Sequence, residues 1–243
     1  MSETTTPDNT RIDVRAARER FRTQLDWLDS SHSFSFGPHH DPANTGHGLL
    51  IVNNDDTIAP GGGFGTHPHR DMEIITWVLS GALEHRDSEG NEGIITPGLA
   101  QRMSAGAGIR HSERNASDTE PVRLVQMWVV PDEVGIPPGY EQRDVSDQLD
   151  AGGLVAVASG DGRGAIHINQ RGATLWAGRL GAGTELDLPD APFVHLFVAT
   201  GSVHVGGELL GEGDAARLTG AHRLIVDSDA EVLVWESAQD AGR

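Results

Sequence analysis

From Leu49 onward the chain is written almost entirely in short apolar or alternating runs, each closed by a glycine-containing turn. LLIV, EIITWVLSG, VRLVQMWVV and FVHLFVATG are examples, with neighbouring runs roughly ten residues apart. Runs of this length cannot sustain a 3.6-residue period, and no strand–helix–strand alternation interrupts them. This predicts an all-β chain built as a sandwich, jelly roll or barrel. The 31 Gly and 12 Pro residues are more turn formers than a helical bundle tolerates. At 243 residues the chain is long for one ordinary domain, so two small domains are expected.

The organisation follows from composition shifts. Arg15 to Leu25 reads as a short helix, WLDSSHSFSFG as a half-buried strand, and GPHHDPANTGHG as a loop before the buried strand Leu49–Val52. ALEHRD with GNEGIITPG reads as a hairpin. After Val130, PDEVGIPPGYEQRDVSDQLDAGG is poor in apolar residues and reads as a linker or surface loop. The second half then repeats the first in outline: FVHLFVATGSVHVGGELLGEGDAARLTG echoes EIITWVLSGALEHRDSEGNEGIITPG, as two copies of one β-fold would. The expected division is a first domain over 12–143 and a second over 151–243.

Charge and cysteine content exclude several classes of function. All 18 basic residues are Arg, against 36 acidic residues, a formal net charge of -18. Without Lys there is no Schiff-base or phosphate-loop lysine, and the acidic balance argues against direct nucleic-acid or anionic-membrane binding. Without Cys, thiolate catalysis, disulfides and sulfur-ligated metals are excluded. The opening MSETTTPDNT is polar and lacks the apolar core of a signal peptide, so a cytoplasmic location is the expectation.

Two pairs carry the chemistry. Strand side chains alternate between faces, so His67 and His69 in GTHPHRDMEI share a side, as do His111 and Glu113 in IRHSERN. Glycine-rich stretches precede both pairs and let strands approach closely. Strands meeting inside a small barrel would bring three imidazoles and a carboxylate together. Such a nitrogen and oxygen set suits a first-row divalent metal and leaves coordination positions open, which favours catalysis over a structural role. Glu73 lies close enough in sequence to compete with Glu113. His39 and His40 read as solvated loop residues, and His85 with Arg86 and Asp87 as a strand end entering a turn. No GxSxG elbow is present.

Gly61, His67, His69 and Glu73 fit the first cupin motif, and Gly108, His111 and Asn115 the end of the second. More narrowly, GGGFGTHPHRDMEI, MSAGAGIRHSE, WLDSSHSFSFG and YEQR resemble the pirin family, over about residues 12 to 143, and in particular its bacterial members described as quercetin 2,3-dioxygenases. The resemblance implies two tandem cupin (jelly-roll β-barrel) domains, a bicupin. It implies that His67, His69, His111 and Glu113 bind one divalent metal, iron(II) first, with zinc, cobalt, manganese, nickel or copper as alternatives. Many other cupins use the first-motif Glu, here Glu73; the intact HSE wording favours Glu113 and leaves Glu73 as a supporting group or pocket wall. Counting back from Gly201 as the histidines lie from Gly81 lands on Asp187 and Pro189, so the second domain, 151–243, is expected to be a degenerate, metal-free cupin.

The implied reaction is cleavage of a flavonol, or another small aromatic enol, by dioxygen, with Glu113 taking the substrate's hydroxyl proton and the central ring opening with loss of carbon monoxide. The alternative implied by the same resemblance is a metal-binding or redox-sensing regulator that contacts a protein partner.

Overall fold

The computed structural model describes residues 10–242, so most of the polar opening segment lies outside the described residues. Nearly every regular element is a strand, as the turn-punctuated pattern predicts; the exceptions are one 3₁₀ turn, Ala17–Glu19, and one short helix, Ser146–Asp150. The first half is a sandwich of two antiparallel sheets. Its seven-stranded sheet runs, in spatial order, Gly139–Asp144, Leu99–Ser104, Glu73–Ser80, Val122–Val129, Leu50–Ile58, Leu28–His32 and Phe21–Leu25. The facing four-stranded sheet runs Gly63–His69, Ile109–Asn115, Leu83–Asp87 and Glu92–Ile95.

The second half repeats this grammar in one nine-stranded sheet wrapped around two long strands, Phe193–Val205 and Arg223–Ser237. Register shifts near Thr200 and Ser202 mark the bulges at which the first of these bends. Gly201 sits there at φ +76°, the same value as Gly81 in the corresponding turn of the first half. The internal echo in the sequence is thus an echo in backbone conformation.

Two expectations are corrected. The helix expected over Arg15 to Leu25 does not form. Arg11–Arg15 is a strand paired with Ala215–Thr219 of the second half, and Phe21–Leu25 forms a hairpin with Leu28–His32 through a two-residue turn. The segment offers too few apolar residues at helical spacing to hold an isolated helix of that length. Its polar groups are taken up locally instead: Ala17 N–H donates to Asp214 Oδ1 (2.6 Å), and the Arg20 guanidinium donates to the carbonyls of Ser31 and Asn53. The expected linker is also partly ordered. Gly139–Asp144 extends the seven-stranded sheet beside Leu99–Ser104, and Leu149 of the short helix is fully buried.

One apolar cluster spans both halves, with Phe34, Ile75, Trp77, Val125 and Met127 packed with Val157, Leu175, Phe197 and Trp235. Side chains of this size each stabilise a fold by about 1.5–3 kcal/mol when fully buried. The central strands of the seven-stranded sheet are therefore covered on both faces. Ile75, Trp77, Val125 and Met127 lie against the second half, while the alternate residues Thr76, Gln126 and Trp128 face the interior of the first.

Candidate metal centre

Strand pairing brings the two sequence pairs together. In the four-stranded sheet His111 lies directly opposite His67, and a bulge between His111 and Glu113 shifts the register so that Glu113 faces Phe64. The close approach depends on Gly63 at φ +155°, where a Cβ would sit 2.5 Å from the Glu113 carbonyl oxygen. The rings of His67, His69 and His111 have centroids 4.4 to 4.9 Å apart. Their ligating nitrogens lie within 4.8 Å of one another.

The protonation pattern suits a cation. His67 Nδ1 lies 2.8 Å from the Gly65 carbonyl oxygen and donates to it, which leaves Nε2 as a lone pair. His111 Nε2 is buried with no hydrogen-bond partner, an arrangement a metal would satisfy. Burial, reinforced by the neighbouring imidazoles, lowers His69 to about 4 and His111 to about 3. Both rings are therefore neutral near pH 7, as ligands must be.

Glu113 is buried beside this trio, and its carboxylate groups with His111 and His85 rather than with His67 and His69. Gln126 Nε2 donates to Glu113 Oε2 (2.8 Å), and Thr76 Oγ1 donates weakly to Oε1 (3.4 Å). Trp128 Nε1–H donates to Gln126 Oε1 (3.1 Å), which fixes the amide with its nitrogen toward Glu113. Gln126 and Thr76 are cross-strand neighbours on adjacent strands, so one patch of sheet holds the carboxylate.

Glu73 does not line the site. It shares strand parity with Ile75 and Trp77, and is fully buried against the second half. There it accepts hydrogen bonds from Ser104 Oγ (2.8 Å), Asn169 N–H (3.1 Å) and Asn169 Nδ2 (3.2 Å). The expected supporting group or pocket wall is a tie between the two halves.

His67, His69 and Glu113 border a cavity of about 300 Å³ between the sheets, with His111 buried behind them, and Phe36, Phe64, Leu28 and Trp128 form its apolar walls. His69 packs edge-on against Trp128, with ring centroids 4.9 Å apart. One wall is polar: Ser30 hydrogen-bonds to Asp56, whose carboxyl burial pushes up to about 7. His32 Nδ1 meets Asn54 Oδ1 at 2.9 Å.

Sequence reasoning missed Gln126, Trp128, Asp56 and His85. His85 does lie at the end of a strand, Leu83–Asp87, that enters a turn, but its side chain is fully buried, 3.4 Å from His111. The same alternation that pairs His67 with His69 also places His85 and Asp87 on one face, and that signal was available. His39 is likewise not a solvated loop residue: its ring stacks on Phe21 (5.3 Å) and its Nε2 meets Thr23 Oγ1 (3.1 Å).

Comparison with known proteins bears on both halves. The family model Pirin matches residues 13–129, and the model described as the quercetinase C-terminal cupin domain matches residues 156–236. A Mycobacterium tuberculosis protein is 54% identical over 230 residues, 93% of this chain and 94% of its own. The Escherichia coli (strain K12) protein named quercetin 2,3-dioxygenase is 41% identical over 230 residues, 93% of this chain and 98% of its own. The crystal structure of the bacterial pirin YhhW from Escherichia coli in complex with nickel(II) superposes with a TM-score of 0.88 at 39% identity, covering 95% of this chain and 100% of that one. Among the described residues, no helix is long and apolar enough to cross a membrane. With two cupin halves, a histidine trio in the first, and likeness of this extent over nearly its whole length, the chain is a bicupin of the pirin family.

Proposed function

We propose that this protein is a metal-dependent dioxygenase that cleaves a flavonol such as quercetin with dioxygen, using His67, His69, His111 and Glu113 as metal ligands. The observation that carries this is three imidazoles, His67, His69 and His111, gathered with the buried Glu113 carboxylate beside a largely apolar cavity of about 300 Å³. The relatives named quercetin 2,3-dioxygenase support the reaction class. Iron(II) is the first candidate metal and nickel(II), held by the Escherichia coli relative, the second.

When bound, the metal supplies the Lewis acidity that lowers the pKa of the substrate's enolic hydroxyl. The protein's own groups do the rest. Trp128 and Phe36 flank the cavity with rings crossing at 78° and confine a planar ring system. Leu28 and Phe64 exclude water from it. Glu113 accepts the hydroxyl proton, held in place by Gln126 and Thr76. The polar wall of Ser30, His32, Asn54 and Asp56 receives the substrate's outer hydroxyls.

The test is metal analysis of the purified protein, followed by oxygen uptake with quercetin before and after chelation. Uptake abolished by the chelator and restored by one metal is expected; stoichiometric metal without uptake refutes the enzyme and favours a regulatory metal protein. Glu113→Gln should lose metal and activity together while keeping its fold, and an active, metal-free Glu113→Gln refutes the ligand assignment.

A further inference from the structure

His111 lies on the inner strand Ile109–Asn115, which pairs with Gly63–His69 on one side and Leu83–Asp87 on the other. The two neighbouring strands use its backbone groups in their ladders. His67 lies on the edge strand, where the Gly65 carbonyl is free to hold its Nδ1. His111 has no such carbonyl and must be oriented by a side chain.

We infer that Asp87 and His85 form a positioning arm that fixes the tautomer and ring plane of His111, leaving His111 Nε2 bare for the metal; this rests on the metal-site reading above. Both arm side chains are fully buried, with His85 Nε2 3.3 Å from Asp87 Oδ2. Asp87 is itself pinned: Oδ1 accepts from the N–H groups of Glu89 (3.0 Å) and Asn91 (2.9 Å), and Oδ2 accepts from Asn91 Nδ2 (2.9 Å).

The hydrogen positions then follow by elimination. Both Asp87 oxygens already accept from Glu89 and Asn91, so the carboxyl group is the acceptor and His85 donates to it from Nε2. The His85 tautomer with its hydrogen on Nε2 turns the lone pair of Nδ1 toward His111. His111 Nδ1 faces that lone pair at 3.4 Å, so it is the donor. The lone pair of His111 therefore sits on Nε2, the buried atom with no partner. Tyr140 packs on His85 with ring centroids 4.9 Å apart and planes tilted by 31°, which holds the arm's own ring. Outer partners of this kind orient metal-binding imidazoles and raise their basicity.

The alternative role for His85 is that of a ligand, because His85, His111 and Glu113 also group within 4.8 Å. The two roles differ in what Asp87→Asn does. Glu89 and Asn91 N–H groups would hold the amide oxygen of the new side chain, turning its nitrogen toward His85 Nε2. That reverses the tautomer of both rings and puts a hydrogen on His111 Nε2.

The experiment titrates metal-free wild-type, Asp87→Asn, His85→Leu and His85→Gln proteins with cobalt(II) and nickel(II), reading affinity and the visible cobalt(II) spectrum. Thermal midpoints of the metal-free forms control for folding. Asp87→Asn and His85→Leu are expected to bind roughly 10- to 100-fold more weakly, with an altered cobalt(II) spectrum. His85→Gln, which can still accept from His111 through its amide oxygen, should recover much of the affinity. Wild-type affinity and spectrum in both Asp87→Asn and His85→Leu would overturn the arm alone. Normal binding by Asp87→Asn with none by His85→Gln would overturn it in favour of His85 as a ligand. Failure of the wild-type protein to bind either metal would overturn the metal site itself.

Discussion

Replacing Glu73 separates the role its sequence position suggests from the role its surroundings impose. Its carboxylate has no solvent exposure and accepts three hydrogen bonds, two of them from Asn169 of the second half. Glu73→Ala removes these bonds, each worth about 1.5–3 kcal/mol with a charged acceptor, and strands the part-buried Asn169 N–H at up to about 1–3 kcal/mol. Release of the carboxylate's own desolvation cost offsets part of this, so a net loss of about 4 kcal/mol is expected. For a chain of this size, about 2–4 °C per kcal/mol puts the drop in thermal midpoint at roughly 8–16 °C. Glu73→Gln keeps the volume and one acceptor oxygen and should lose about half as much. The assay is a thermal melt of the metal-free variants alongside nickel(II) titration of the folded proteins. Metal affinity within about 3-fold of wild type is expected, because a change of well under 1 kcal/mol corresponds to no lost ligand. A Glu73→Ala protein that melts near wild type but no longer binds metal would refute the assignment and return Glu73 to the site.

Two further outcomes are expected. His111, held near 3, and His69, near 4, both lie below the ordinary histidine value of 6.5 because of burial. Between about pH 6.5 and 4 the unfolded chain binds protons that the folded chain does not. Stability of the metal-free protein should therefore fall as pH falls through that window, by up to about 1.4 kcal/mol per pH unit for each histidine. His47, near 4, and His195, well below its ordinary value, act with the same sign, while Asp56, raised to about 7, opposes them as one group against four. Thermal midpoints unchanged from pH 7 to 4.5 would contradict this. Separately, Trp77 Nε1–H donates to Glu231 Oε1 (2.6 Å) across the two halves, and Arg179 also pairs with Glu231. Trp77→Phe should cost about 1–3 kcal/mol in a denaturant melt without changing metal binding, and no measurable loss would show that this bond contributes nothing to docking the halves.

Much of the site was legible because alternation along a strand is a local property. It set His67 beside His69 and His111 beside Glu113 before any strand was paired, and it would have set His85 beside Asp87 had it been applied there. The all-β character was legible for the same reason, since glycine-closed runs of this length cannot become long helices. The polar start was misjudged: Arg11–Arg15 and Phe21–Leu25 become strands only because partners distant in the chain or across a tight turn complete their ladders.

The choice between Glu73 and Glu113 belonged to the tertiary structure. Glu73–Ser80 is buried on both faces, so its hydrophobic pattern carries no sign of which parity faces the cavity and which faces the second half. Docking of the second half decided it by presenting Asn169 to Glu73, while pairing of the two strands decided that His111 should meet His67. The residue types and their alternation along each strand were thus determined by the sequence alone. The partner each side chain met was decided by contacts between segments far apart in the chain, which no local pattern encodes.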